Sequence, residues 1–202
     1  MLLAAVCFAV IAIEVLTGSG LTRIDLQWAM WLQAHANAPL TAAMLALSWL
    51  HDTVPTVAAT LLLVALLWRL DQRRWSLTVA AAVGPGMFLN WCLKQLFSRQ
   101  RPSVGPFVQL LQSYSFPSGH TIGATLLYGV LAAYGIAHVR HAGTRWAIAV
   151  LAAAAVVAVA FSRLYLGVHF LSDVLAAVCV GVFWLALCLT VAHALAPRFG
   201  LR

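Results

Sequence analysis

From Phe170 to Leu195 the chain runs without a single Lys or Arg and with one carboxylate, Asp173. A stretch that long and that apolar suits a bilayer, whose hydrocarbon core is crossed by about 20 apolar residues in a helix. Comparable runs lie at about 1–17, 53–68, 76–96, 118–137 and 146–162. With 63% hydrophobic and 8% charged residues over 202 positions, the chain lacks the polar surface of a soluble domain, where about a quarter of residues are charged. The runs are long and unbroken, which indicates helices and not a barrel. The expected fold is therefore all-α: a polytopic membrane protein with a six-transmembrane-helix bundle, forming one domain over residues 1–202. The first run begins at Met1 with no cation ahead of it, and is read as a retained span and not a cleaved leader.

Residues 18–50 form the longest connection. Trp28, Trp31, Leu32, Leu45 and Trp49 are interleaved there with Arg23, Asp25, Gln27 and Gln33, a pattern suited to a helix lying in the membrane interface after the first span. A shorter, poorer span over 39–50 is the alternative. Cys7, Cys92, Cys179 and Cys188 fall inside apolar runs and read as small buried hydrophobes, with no disulfide or zinc framework. The net charge of +7 argues for no nucleic-acid partner, because the cations do not cluster on a soluble face.

Six crossings divide those cations between two sides. Arg69, Arg73, Arg74, Arg140, Arg145, Arg198 and Arg202 share one side with the termini, and Arg23, Lys94, Arg99, Arg101 and Arg163 share the other. The richer set belongs in the cytoplasm by the positive-inside rule, which places both termini there. The cations left on the outer face need another reason to exist. Snorkelling to headgroups accounts for any one of them; it does not account for what surrounds them.

Three clusters share that outer face at three span ends. The first, KQLFSRQRP, carries Lys94, Arg101 and Pro102; the second, PSGH, carries Pro117, Ser118, Gly119 and His120. The third, SRLYLGVHFLSD, carries Ser162, Arg163, His169 and Asp173. Phosphoryl transfer needs this set, because ammonium and guanidinium donors hold the phosphate oxygens while the bond to phosphorus changes hands. Lys94, Arg101 and Arg163 supply that charge. Ser118, Gly119 and the backbone N–H groups of a starting helix add donors, and Gly lets the backbone approach an anion closely. Asp173, four residues after His169, shares its helical face and can accept an imidazole N–H. His169 is then the candidate nucleophile, and His120 the acid that protonates the departing oxygen and later activates water. His35 and His51 are also on the outer side but lie in the interfacial segment and are not assigned to catalysis. Only five Asp and Glu residues occur, too few and too scattered in sequence for a two-metal hydrolase, so neither metal nor organic cofactor is expected.

Taken together, Lys94-x6-Arg101-Pro102, Pro117-Ser118-Gly119-His120 and Ser162-Arg163-x5-His169-x3-Asp173 resemble the three signature motifs of the type 2 phosphatidic acid phosphatase superfamily. The resemblance covers residues 76–195 well and the first 75 only in span count. It implies metal-independent dephosphorylation through a phospho-histidine, with His169 as nucleophile, His120 as acid and base, and Lys94, Arg101, Ser118, Gly119 and Arg163 as phosphate ligands. The implied substrate is a lipid phosphate such as undecaprenyl diphosphate, phosphatidylglycerophosphate or phosphatidate, and the implied location is the inner membrane with the site facing outward. Two other classes are weighed against it. A transporter would bind a phosphate headgroup without cleaving it, but no paired broken helices are evident. A serine protease would use Ser118, but PSGH lacks the strained nucleophile turn and the cations would have no use.

Overall fold

The computed structural model describes residues 1–104, 107 and 113–199, with side chains to residue 195. Among the described residues eight helices run in order: α1 (Leu2–Thr17), α2 (Gly20–Ala34), α3 (Ala38–Leu50), α4 (Thr53–Arg69), α5 (Arg73–Phe97), α6 (Gly119–His138), α7 (Ala142–Tyr165) and α8 (Leu171–Phe199). Strands are absent among the described residues. Helices are the form a chain takes in lipid because every backbone donor finds its acceptor within the segment. Four of them, α5 to α8, are long and apolar enough to cross a membrane alone; α5, for instance, is about 37 Å long at the usual helical rise. Counting the bent pairs α1–α2 and α3–α4 as spans raises the number to six.

The corners of those pairs are built from local chemistry. α1 ends at Gly18 in the left-handed conformation (φ 65°), where a side chain would be strained. The Glu14 carboxylate then accepts the Ser19 hydroxyl at 2.5 Å and the Leu21 N–H at 3.4 Å, and α2 leaves at 84° to α1. Asn37 caps α3 by accepting the Leu40 N–H at 3.0 Å, with Pro39 in the first turn, an arrangement that starts a helix and prevents α2 from running on. Asp52 caps α4 in the same way, accepting the Thr53 N–H at 2.7 Å. The 18–50 segment is thus two helices: α2 turned across the end of α1, and α3 occupying the apolar stretch at 39–50.

α3 stays at one end of the bundle. Its leading cap binds the Tyr165 hydroxyl through the Asn37 N–H at 2.9 Å, and Ser48 in its last turn bonds Arg163. Both partners belong to the final turn of α7. α2 is held at that same end, since Asp25 bonds Ser172 in the first turn of α8.

α6 is the centre, packed against α5, α7 and α8. Its residues 121–126 are buried throughout, and Ile122 and Leu126 join Val83 of α5 with Ala177 and Val180 of α8 in one core cluster. Helices in lipid associate through close packing of small residues. Gly86 is the clearest instance: a Cβ there would lie 2.4 Å from a Leu126 methyl and 3.0 Å from the Trp184 ring. Outward faces carry Leu61, Leu62, Phe88, Leu151 and Val157, all well exposed, as lipid-facing positions should be. Phe116 is fully buried among Ala12, Ala176, Phe8 and Phe97. It anchors the chain just before PSGH between α1, α5 and α8.

Candidate active site

A cavity of about 350 Å³ opens at the end of the bundle where α2 and α3 sit. Lys94, Arg101, Gly119, His120, Arg163 and His169 all line it, so the three motifs meet around one space. α5 ends at Ser98 in the left-handed conformation (φ 46°), which turns the chain from Lys94 towards Arg101. The returning segment is pinned beside it: the Ser115 N–H donates to the Arg99 carbonyl at 2.8 Å, and the Ser118 N–H to the Asp173 carbonyl at 3.1 Å.

His169 lies in the short connection between α7 and α8 and is 2% exposed. Its Nδ1 is 3.3 Å from Asp173 Oδ2 and its Nε2 is 3.3 Å from Arg101 Nη1. A guanidinium only donates and an ionised carboxylate only accepts. The pair therefore fixes one tautomer, with the proton on Nδ1 and the Nε2 lone pair turned to the cavity. Burial, reinforced by the Arg101 charge, holds the imidazole well below its ordinary pKa, which keeps that lone pair unprotonated. Asp173 is itself immobilised. Its Oδ2 accepts the Phe170 N–H at 2.9 Å and its Oδ1 accepts Arg99 Nη1 at 2.7 Å.

Arg101 donates through Nε to the Ser113 carbonyl at 2.7 Å and through Nη1 to the Val168 carbonyl at 2.8 Å; burial lowers its pKa. Lys94 donates to the carbonyls of Tyr114 and, at 3.3 Å, Ser115. Arg163, 5% exposed, bonds Ser48 through Nη1, while its Nε is buried with no hydrogen-bond partner. An unpartnered buried guanidinium N–H is costly. Gly119 opens α6, where a Cβ would come to 3.3 Å from Asn90 Nδ2 and 4.0 Å from Lys94 Cε. His120 follows, with Nε2 4.0 Å from the Asp52 carboxylate.

Ser118 is placed differently from the rest. It is fully buried at the N-cap of α6, it accepts the Thr121 hydroxyl at 3.0 Å, and it is not among the side chains lining the cavity.

Several residues that the motifs do not contain complete the site. His51 lines the cavity, with Nδ1 2.8 Å from the Leu47 carbonyl and Nε2 2.6 Å from the Tyr128 hydroxyl. Asn90 lines it one helical turn before Lys94, a position that an i, i+4 reading of polar residues in the α5 run would have found. Asp25 and Asp173, distant in sequence, are brought onto the two ends of Arg99; the unexplained outer-face Arg99 was the sequence signal that an acidic partner existed.

A phosphatidylglycerophosphatase B of Bacillus subtilis (strain 168) is 34% identical over 113 residues, which are 55% of this chain and 55% of that protein. A putative undecaprenyl-diphosphatase of Escherichia coli (strain K12) is 33% identical over 132 residues, covering 63% of this chain and 62% of its own. These matches span about half to three-fifths of the relatives' lengths. The crystal structure of a transmembrane PAP2-type phosphatidylglycerolphosphate phosphatase from Bacillus subtilis superposes with a TM-score of 0.84 at 24% identity, over 96% of this chain and 98% of that one, so the two share a fold. The family model that matches residues 75–196 is that of the PAP2 superfamily, and this multi-pass membrane chain, with all three motif clusters inside that range, belongs to it.

Proposed function

We infer that the protein is a membrane lipid phosphatase working through His169. The observation that carries this reading is the convergence of Lys94, Arg101, Arg163, His120 and His169 on one cavity, with the His169 Nε2 lone pair beside Arg101. A substrate phosphate takes the cations and the N–H groups at Gly119 and His120 as its ligands. The Nε2 lone pair attacks phosphorus, the bond to the lipid oxygen breaks, and His120 supplies that oxygen with a proton. His120 then takes a proton from water, which attacks the phospho-histidine, and the P–N bond breaks to release inorganic phosphate. No step calls for a metal. Asp173 keeps Nδ1 protonated and stabilises the imidazolium character that develops.

The substrate class follows from where the site lies. A cavity at the end of a bundle suits a lipid whose phosphate reaches the cations while its chains stay in the bilayer. Undecaprenyl diphosphate, phosphatidylglycerophosphate and phosphatidate all meet that description, and the names of the relatives point to the first two. The charge distribution supports an inner-membrane protein with cytoplasmic termini and the cavity on the outer face. The test is phosphate release by detergent-purified protein on those three lipids, with EDTA present, beside His169→Ala. Release that persists with EDTA and disappears in the variant is expected; equal release by a folded His169→Ala protein would overturn the mechanism.

A further inference from the structure

The proposed reaction depends on Asp173 holding His169, and what holds Asp173 comes from outside the three motifs. Asp25 belongs to α2, beyond the segment matched by the family model, and is fully buried. It accepts three hydrogen bonds: from Arg99 Nη2 at 2.8 Å, from the Ser172 N–H at 2.9 Å and from the Ser172 hydroxyl at 2.5 Å. Arg99 turns its other nitrogen, Nη1, to Asp173 Oδ1 and to Ser172 Oγ, each at 2.7 Å. Its guanidinium carbon lies 4.3 Å from the centre of the Phe170 ring, next in sequence to His169.

One planar cation thus bridges two buried carboxylates on two different helices. Only a guanidinium has the fork geometry for this, since an ammonium is a point charge. Without Arg99, Asp25 and Asp173 would repel each other across an empty site. Without Asp25, Arg99 would lose one of its two carboxylate partners and keep only Asp173 and the Ser172 hydroxyl, both on Nη1. Either change moves the carboxylate that orients the imidazole, while Lys94, Arg101 and Arg163 keep their own partners.

Resting on the phosphatase reading, we propose that Asp25 and Arg99 are positioning residues for the nucleophile, forming with Asp173 a relay that aims His169 Nε2 at phosphorus. Partners that orient a reactive histidine through a carboxylate are worth about 10- to 100-fold in comparable metal sites. They act on the chemical step and not on phosphate capture.

The experiment measures turnover of the best lipid substrate by the full chain, with vanadate binding counting folded, phosphate-competent sites. Asp25→Asn, Arg99→Lys and the double variant are compared with the wild type. Expected is a fall of about 10- to 100-fold in kcat per vanadate-binding site in each single variant, with KM and vanadate affinity within about threefold. The double variant should be no worse than the poorer single, because the two residues act as one unit. The proposal is overturned if kcat per site stays within about threefold of wild type, if lost turnover is matched by lost vanadate sites, or if the two losses multiply. Asp25→Asn preserves shape and carries the test if Arg99→Lys does not fold. Wild-type protein that binds vanadate but releases no phosphate from any lipid would overturn the phosphatase reading itself, and this role with it.

Discussion

His169 is held from both sides, by Asp173 at Nδ1 and Arg101 at Nε2, and its pKa is lowered by burial first and by Arg101, Lys94, Arg163 and His120 after that. The sign for activity follows. A histidine acts as nucleophile when neutral, so a depressed pKa keeps it competent as the pH falls through about 6.5, the value of a free imidazole. Single-turnover phosphorylation of the enzyme should therefore show no loss centred near 6.5, and a midpoint at that pH would mean that His169 is not so held. The proposed mechanism gives His120 a separable role. Replacing it with Asn removes the proton donor, which costs about 10²- to 10⁴-fold for a lipid leaving group. An aryl phosphate, whose phenolate departs without protonation, should still phosphorylate His169 in His120→Asn, and protein quenched in alkaline detergent, where a phospho-histidine survives, should then retain phosphate because water is no longer activated. A variant equally slow on both substrates, with no trapped phosphate, would refute that division of labour.

At the level of helices, the site's precision depends on how closely α5, α6 and α8 approach. Gly86→Ala sets a methyl 2.4 Å from Leu126 and 3.0 Å from Trp184, and Leu126 is fully buried. Overpacking of this kind costs about 1–3 kcal/mol, so a lower thermal midpoint in detergent is expected while the KM of surviving enzyme is unchanged. An unaltered midpoint would show that Leu126 has room to yield. Gly119 is the contrasting case. The added methyl meets Asn90 at 3.3 Å beside the cavity, and a rise in KM with little change in stability is expected for Gly119→Ala. The same contrast explains what could be read from sequence. The spans and the three motifs are local: each is a run or a spacing of a few residues at a helix end, and position on a helix follows from periodicity. Asp25, Ser48 and His51 join the site through contacts spanning 147 residues to Ser172, 115 to Arg163 and 77 to Tyr128. Nothing local marks them, since an Asp in an amphipathic segment looks like part of a solvated face until α2 is seen folded against α8. Ser118 shows the converse. Its place in a motif identified it, but folding turned its hydroxyl inward to Thr121.

Across the whole molecule, α2 and α3 are the elements that make one end of the bundle different from the other. Both are tied to the site end, α2 through Asp25 to Ser172 and α3 through Asn37 and Ser48 to the last turn of α7. The turns at the opposite end carry Arg69, Arg73, Arg74, Arg140 and Arg145. Since α6 separates Ser118 from the turn at 139–141, those two ends of the helix face opposite sides of the membrane. The proposed topology follows the charge bias and puts the second one in the cytoplasm. Replacing Cys7, Cys92, Cys179 and Cys188 with Ala leaves a background in which single exposed cysteines can be introduced. Ser103→Cys should react with a membrane-impermeant maleimide added to intact cells, and Ala142→Cys only after the membrane is opened. Labelling in the reverse order would put the cavity on the cytoplasmic side, where the substrates within reach are lipids made there. Labelling of both from outside would mean that α6 does not cross, and the central helix of the fold would have to be reassigned. The expected order instead gives the cavity lipid phosphates presented at the outer surface.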